Sequence, residues 1–134
     1  MSSSPSVGDR IVHKEFPPIT RHRLALYSGA SGDHNPIHVD IDFAKAAGFP
    51  DVFAHGMLVM GYLGQALTDA VAPSRIRSFS TRFAAITQLG AKLTCEGTVT
   101  ELVEQGGERR AILALTTRDQ NGEIKLAGEA VIAL

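Results

Sequence analysis

Hydrophobic positions in this chain read as helices first and strands last. If residues 21–30 are helical, Leu24, Tyr27 and Ser28 come within reach of one another at helical spacing, with Thr20 as N-cap and Gly29 and Gly32 weakening the end. Asp40 is suited to cap a second short helix through Ala47, which Gly48-Phe49-Pro50 then stops, leaving a loop over 49–54. Residues 56–71 are apolar on nearly every side (Met57, Leu58, Val59, Leu63, Ala66 and Leu67 among them), the mark of a buried helix. Residues 10–16 form a short predicted strand ended by Pro17-Pro18. The stretches 76–86, 92–103, 109–117 and 124–134 alternate in polarity or are rich in β-branched residues, and read as strands.

Gln105-Gly106-Gly107 and Gln120-Asn121-Gly122 are tight-turn sequences, so the last three strands are expected to be hairpin-linked and antiparallel. The order gives an α+β class, with an antiparallel sheet wrapped around one long central helix. Gly56, Gly61 and Gly64 on that helix are places where the sheet could approach closely. Neither an internal repeat nor a linker interrupts the pattern. We expect a flexible lead over 1–9 and a single domain over 10–134, long enough to hold a core without disulfide or metal staples.

A net charge of −1 gives no electrostatic reason to expect nucleic acid or an anionic membrane as partner. The apolar stretch 56–67 is too short to span a bilayer, which takes roughly 20 apolar residues. The single Cys95 forms no intrachain disulfide, and Met-Ser-Ser-Ser-Pro-Ser lacks the charged-then-apolar order of a secretion signal. A cytoplasmic location is the expectation.

The chemistry-bearing segment is Ser31-Gly32-Asp33-His34-Asn35-Pro36-Ile37-His38, followed by Ala54-His55-Gly56-Met57 at the start of the apolar helix. On a continuous helix Asp33 and His38 would be turned about 140° apart. Pro36 excludes that geometry, because its ring pushes Asn35 out of the helical region and its nitrogen has no hydrogen to donate. The segment is therefore expected to be a bent loop that brings both side chains together. Asp33, His34, His38 and His55 lack the helical His-x-x-x-His spacing of a metal site, so neither metal nor other cofactor is expected.

Tyr27 through His38, with Asp33, Asn35, Pro36 and His38 in place, and His55-Gly56-Met57 opening an apolar helix, resemble the R-specific enoyl-CoA hydratases (hydratase 2, MaoC-like) and the related (3R)-hydroxyacyl-ACP dehydratases. That resemblance covers residues 20–70 and implies the hot-dog fold. It implies a lyase that adds water to trans-2-enoyl thioesters, or removes it from (3R)-3-hydroxyacyl thioesters. Asp33 and His38 would be the water-activating dyad, and the Gly56 N–H the oxyanion donor. Asn35, His55 and Met57 are assigned to substrate binding, with Asn35 also an organiser of the turn, His55 alternatively a helix cap, and Met57 alternatively core packing. Some relatives carry a hydroxyl residue where this chain has Gly64, which bears on acyl length. The partner is an acyl-CoA or acyl-ACP thioester. An exposed sheet edge and the resemblance together imply a homodimer, with a heterodimer of two hot-dog chains as the alternative. Two rival functions stay open: a hot-dog acyl-CoA thioesterase, disfavoured because the helix has no acid before Asp69, and a non-catalytic subunit of a heteromeric dehydratase.

Overall fold

A computed structural model of the chain describes residues 4–134. Five strands, β1 (Arg10–Glu15), β2 (Ile76–Phe83), β3 (Thr94–Gln105), β4 (Glu108–Arg118) and β5 (Ile124–Ala133), form one antiparallel sheet in the order β1-β3-β4-β5-β2. Gly106 and Gly107 take φ of 62° and 74°, the left-handed conformation a two-residue hairpin needs, and close β3 onto β4. Alternate residues of β4 (Ala111, Leu113, Leu115, Thr117) are buried, and Cys95 and Val99 of β3 bury the same face.

That face packs on α3 (Gly56–Ala70), whose Leu58, Val59, Leu63, Ala66 and Leu67 are buried. This is the hot-dog arrangement, with a sheet curled around one long helix. The helix is not buried on every side, as its composition suggested. Five strands cover one face, leaving Met57 57% exposed and Gly61 with open space beside it. Gly56 and Gly64 are approached by the aromatic rings of Phe83 and Phe79, not by strand backbone.

Three smaller helices lie before α3. The first, α1 (Arg21–Ser31), starts with Thr20 Oγ1 accepting the Arg23 N–H and ends at Gly32, φ 78°. Next comes α2 (Ile41–Ala46), capped by Asp40 Oδ1, which accepts from the Asp42 and Phe43 N–H groups. Between them Pro36–His38 form a single 3₁₀ turn, so the bend is more ordered than a plain loop. Pro36 sits at its first position, where the missing N–H has no bond to lose.

Two expectations need correction. The lead is not free over its whole length: Ser6 N–H donates to Asp9 Oδ2, and Gly8 N–H and Asp9 C=O bond to Val99 backbone, extending the β1 edge. Residues 1–3 lie outside the described residues. Strand β2 ends at Phe83 instead of continuing to 86: the Ala84 N–H still reaches the Lys125 carbonyl of β5, but by Thr87 and Gln88 the backbone pairs with Ala54 and Phe53 instead.

Candidate active site

Local hydrogen bonds fold the Asp33–His38 segment. Asp33 Oδ1 accepts the Asn35 N–H at 3.3 Å, and Asn35 Oδ1 accepts the Ile37 N–H at 3.1 Å, so each acidic or amide side chain holds the backbone two residues on. Asn35 thus organises the turn, as its Asn-Pro step suggested. The second carboxylate oxygen of Asp33 is left facing His38, 4.0 Å from Nε2. Asp33 is half exposed while His38 is buried. His34 is exposed.

His38 Nδ1 lies 2.8 Å from the Phe53 carbonyl. A carbonyl only accepts, so Nδ1 carries the hydrogen and, in the neutral ring, Nε2 presents its lone pair toward Asp33. Phe53 also packs its ring edge-on to His38, with centroids 5.3 Å apart.

His55, just before α3, is 1% exposed. Its Nε2 hydrogen-bonds Ser28 Oγ at 2.9 Å, its ring meets Tyr27 edge-on at 4.7 Å, and it stacks on His38 at 3.9 Å. Burial pushes its pKa below the ordinary histidine value, repulsion from His38 adds to this, and the Asp33 carboxylate and backbone oppose it. Its side chain makes no hydrogen bond to cap the helix, and its Nδ1 has no partner among the described residues.

Ligand atoms of Asp33, His38 and His55 all lie within 4.8 Å of one another, close enough to raise the question of a metal. The stacking argues against one. An imidazole binds an ion along a lone pair in its own ring plane, and two rings only 26° from parallel direct those lone pairs side by side. Phe53 and Ser28 hold one nitrogen of each ring, which leaves His38 Nε2 and His55 Nδ1 as the open ones.

Gly56 is the first residue of α3, and its N–H precedes the first helical bonds at this end, made by Leu58 and Val59 N–H to the His55 carbonyl. It opens on a cavity of about 310 Å³ lined by Phe53, Val59, Phe83, Ile86 and Leu126. A Cβ built at Gly56 would stand 3.0 Å from the Phe83 ring, so a side chain there would crowd the cavity mouth. Asp33, Asn35 and His38 do not line this cavity. Phe53 connects the two parts, its carbonyl on His38 and its side chain in the cavity wall. Met57 projects outward instead of packing in the core. Asp69 sits at the opposite end of α3 in an ion pair with Lys14 at 2.6 Å, remote from the cavity lining. Cys95 is buried among the strands, where burial pushes its thiol up to about 11 despite a hydrogen bond with Thr117.

A family model described as MaoC like domain matches residues 3–120. The chain belongs to the MaoC-like family. It is 34% identical over 116 residues to the (R)-specific enoyl-CoA hydratase of Rhodospirillum rubrum, covering 85% of this chain and 78% of that protein. The enzyme of the same name from Aeromonas caviae is 34% identical over 117 residues, 83% of each chain. The solved R-hydratase PhaJ1 of Pseudomonas aeruginosa shares the fold with a TM-score of 0.83 at 28% identity, over 96% of this chain and 82% of that one. Among the described residues of this MaoC-like chain, no helix is long and apolar enough to cross a membrane.

Three residues at or behind the site left no mark in the sequence. Phe53 acts through its backbone oxygen, which any residue would supply. Lys125 and Asp119, behind the cavity wall, belong to a strand and a turn whose residue types look ordinary.

Proposed function

We propose that this MaoC-like chain is a hydro-lyase that adds water to trans-2-enoyl thioesters to give (3R)-3-hydroxyacyl thioesters, and catalyses the reverse dehydration. The observation that carries this reading is the Phe53–His38–Asp33 arrangement. With Nδ1 committed to a carbonyl, the neutral His38 Nε2 and the Asp33 carboxylate are two acceptors 4.0 Å apart. Two facing acceptors call for a donor with two hydrogens, and a water ~2.8 Å from each satisfies both while turning its oxygen lone pairs outward.

Chemistry follows from that placement. The thioester oxygen accepts the Gly56 N–H, where the helix dipole favours negative charge. As the water oxygen bonds to the β-carbon, one of its protons passes to the Asp33/His38 pair, and the electron pair of the double bond moves toward the thioester as an enolate held at Gly56. The enolate then takes a proton from the pair at its α-carbon. Water has been added and the pair ends as it began. Asn35 holds the turn in this cycle, and His55 lies beneath His38 instead of against substrate.

The carrier is a CoA or acyl-carrier-protein thioester, and the assembly a homodimer of hot-dog sheets. A structure of the ChsH1–ChsH2 complex from Mycobacterium tuberculosis shares the fold at a TM-score of 0.80 and 21% identity.

Loss of the conjugated-enoyl absorbance of crotonyl-CoA tests the reading, with the product's configuration determined by chiral analysis. Wild type should give 3R product, and Asp33→Asn and His38→Ala should each lose at least about 100-fold in rate, the scale of a positioned acid–base group. Full rate in either variant, or steady thiol release from saturated acyl-CoA in place of hydration, would overturn it.

A further inference from the structure

Lys125, the second residue of β5, is 1% exposed. Its Nζ donates to the Ile86 carbonyl at 2.8 Å, to Gln88 Oε1 at 2.9 Å and to the Glu123 carboxylate, which uses all three of its hydrogens. Asp119 Oδ2 lies 3.6 Å away and accepts from Gln88 Nε2 at 3.1 Å, so both ends of the Gln88 carboxamide are fixed. Burial works against the Asp119 carboxylate, but donors from Gln88, Glu123 and Asn121 and the Lys125 charge outweigh it and hold its pKa below the ordinary value. The Lys125 backbone carbonyl also accepts the Ala84 N–H at 2.9 Å. One residue therefore ties down both ends of the 84–86 stretch.

That stretch is a wall between two spaces. Ile86 and Phe53 line the 310 Å³ cavity at Gly56 and also a second cavity of about 220 Å³, which continues past Phe49 and Leu89. The wall lies outside the regular sheet, and beyond the Lys125 contacts it is held by the Thr87 carbonyl on Ala54 N–H and a single bridge from Gln88 to Phe53. A buried ammonium is a poor choice for stability alone, since a well-packed apolar side chain of similar size does as well or better. What it supplies here is direction, because three hydrogens aimed at separate acceptors fix the backbone path of the wall.

We propose that Lys125 is a positioning residue that holds Ile86 as a partition between the two cavities, and so limits the length of acyl chain the site accepts. Loosening the partition joins the spaces and admits longer chains. The substrate class rests on the hydratase reading above; the mechanical role of Lys125 does not.

The test compares kcat/KM for crotonyl-CoA and trans-2-dodecenoyl-CoA in wild type, Lys125→Met, Gln88→Ala and Ile86→Ala. One methylene gained or lost in an apolar pocket changes kcat/KM by roughly 10–200-fold, so the long-to-short ratio should rise at least about tenfold in Lys125→Met and Ile86→Ala and in the same direction in Gln88→Ala. A role confined to folding would lower both substrates together. Ile86 is half exposed and its side chain takes no part in the Lys125 hydrogen bonds, so Ile86→Ala folds even if Lys125→Met does not. Amide exchange needs no turnover: residues 84–88 should exchange faster in Lys125→Met or Gln88→Ala while β3 and β4 do not change. If wild type hydrates neither substrate, the hydratase reading fails and the exchange result alone judges the strut. An unmoved ratio in Ile86→Ala and Gln88→Ala, or unchanged exchange over 84–88, would overturn the proposal.

Discussion

The imidazoles of His38 and His55 lie with centroids 3.9 Å apart and planes 26° from parallel. Two rings so close cannot both carry charge cheaply, and burial decides which stays neutral: His55 is the more enclosed, and its pKa is depressed. His38 faces the Asp33 carboxylate, with Nε2 4.0 Å from Oδ2. His55 is then a neutral platform that fixes the tilt of the ring above it.

Linkage gives this a pH signature. Because the folded-state pKa of His55 lies below the ordinary 6.5, the unfolded chain binds more protons as pH falls through that value, and stability present at pH 7 and above is lost on the acid side. His55→Gln keeps a hydrogen-bonding group for Ser28 and removes the titration. Urea midpoints measured from pH 7.5 to 5 should fall less steeply in His55→Gln than in wild type. Identical slopes would show that His55 is not held neutral by the fold.

Gly56 yields a separate expectation. An added Cβ meets the Phe83 ring at 3.0 Å, but that ring is the exposed end of a flexible side chain and can swing aside. Gly56→Ala should therefore stay within about 1 kcal/mol of wild-type stability, since alanine suits a helix better than glycine. On the proposed mechanism its activity should fall about 100-fold or more, because the added methyl would hinder a thioester reaching the Gly56 N–H, a donor worth roughly 2.7–4 kcal/mol in comparable sites. A folded Gly56→Ala enzyme with wild-type kcat would remove Gly56 from the mechanism.

The parts of this architecture that the sequence foretold are those written in local chemistry. Thr20, Asp40 and the Gly106-Gly107 pair announce their caps and turn because each acts on backbone a few residues away. The bend between Asp33 and His38 was legible from Pro36 for the same reason. What stayed hidden depends on distant partners. Residues 84–86 carry strand-like side chains, yet regular pairing fails after the Ala84 N–H reaches the Lys125 carbonyl of β5, and the Ile86 carbonyl is taken by the Lys125 side chain instead of a strand. The tautomer of His38 is set by a main-chain oxygen at Phe53, which no residue type encodes. Met57 shows the reverse error: composition placed it in the core, but one sheet covers only one face of α3.

That uncovered face bears on assembly. Phe83 and Ile86, both half exposed or more, line the Gly56 cavity, Met57 is exposed beside Gly56 on α3, and β2 leaves one edge of the sheet unpaired in the single chain. Apolar side chains clustered beside an open strand edge are the features that a second copy would cover, at about 25 cal/mol per Å² of apolar surface removed from water. A two-fold contact would set each substituted position close to its own copy, so acidic residues there lose burial and also repel. Wild type should sediment as a dimer at micromolar concentration, and Met57→Glu/Phe83→Glu as a folded monomer. A wild-type monomer would overturn the dimer itself, and a double variant that remains dimeric would place the contact elsewhere.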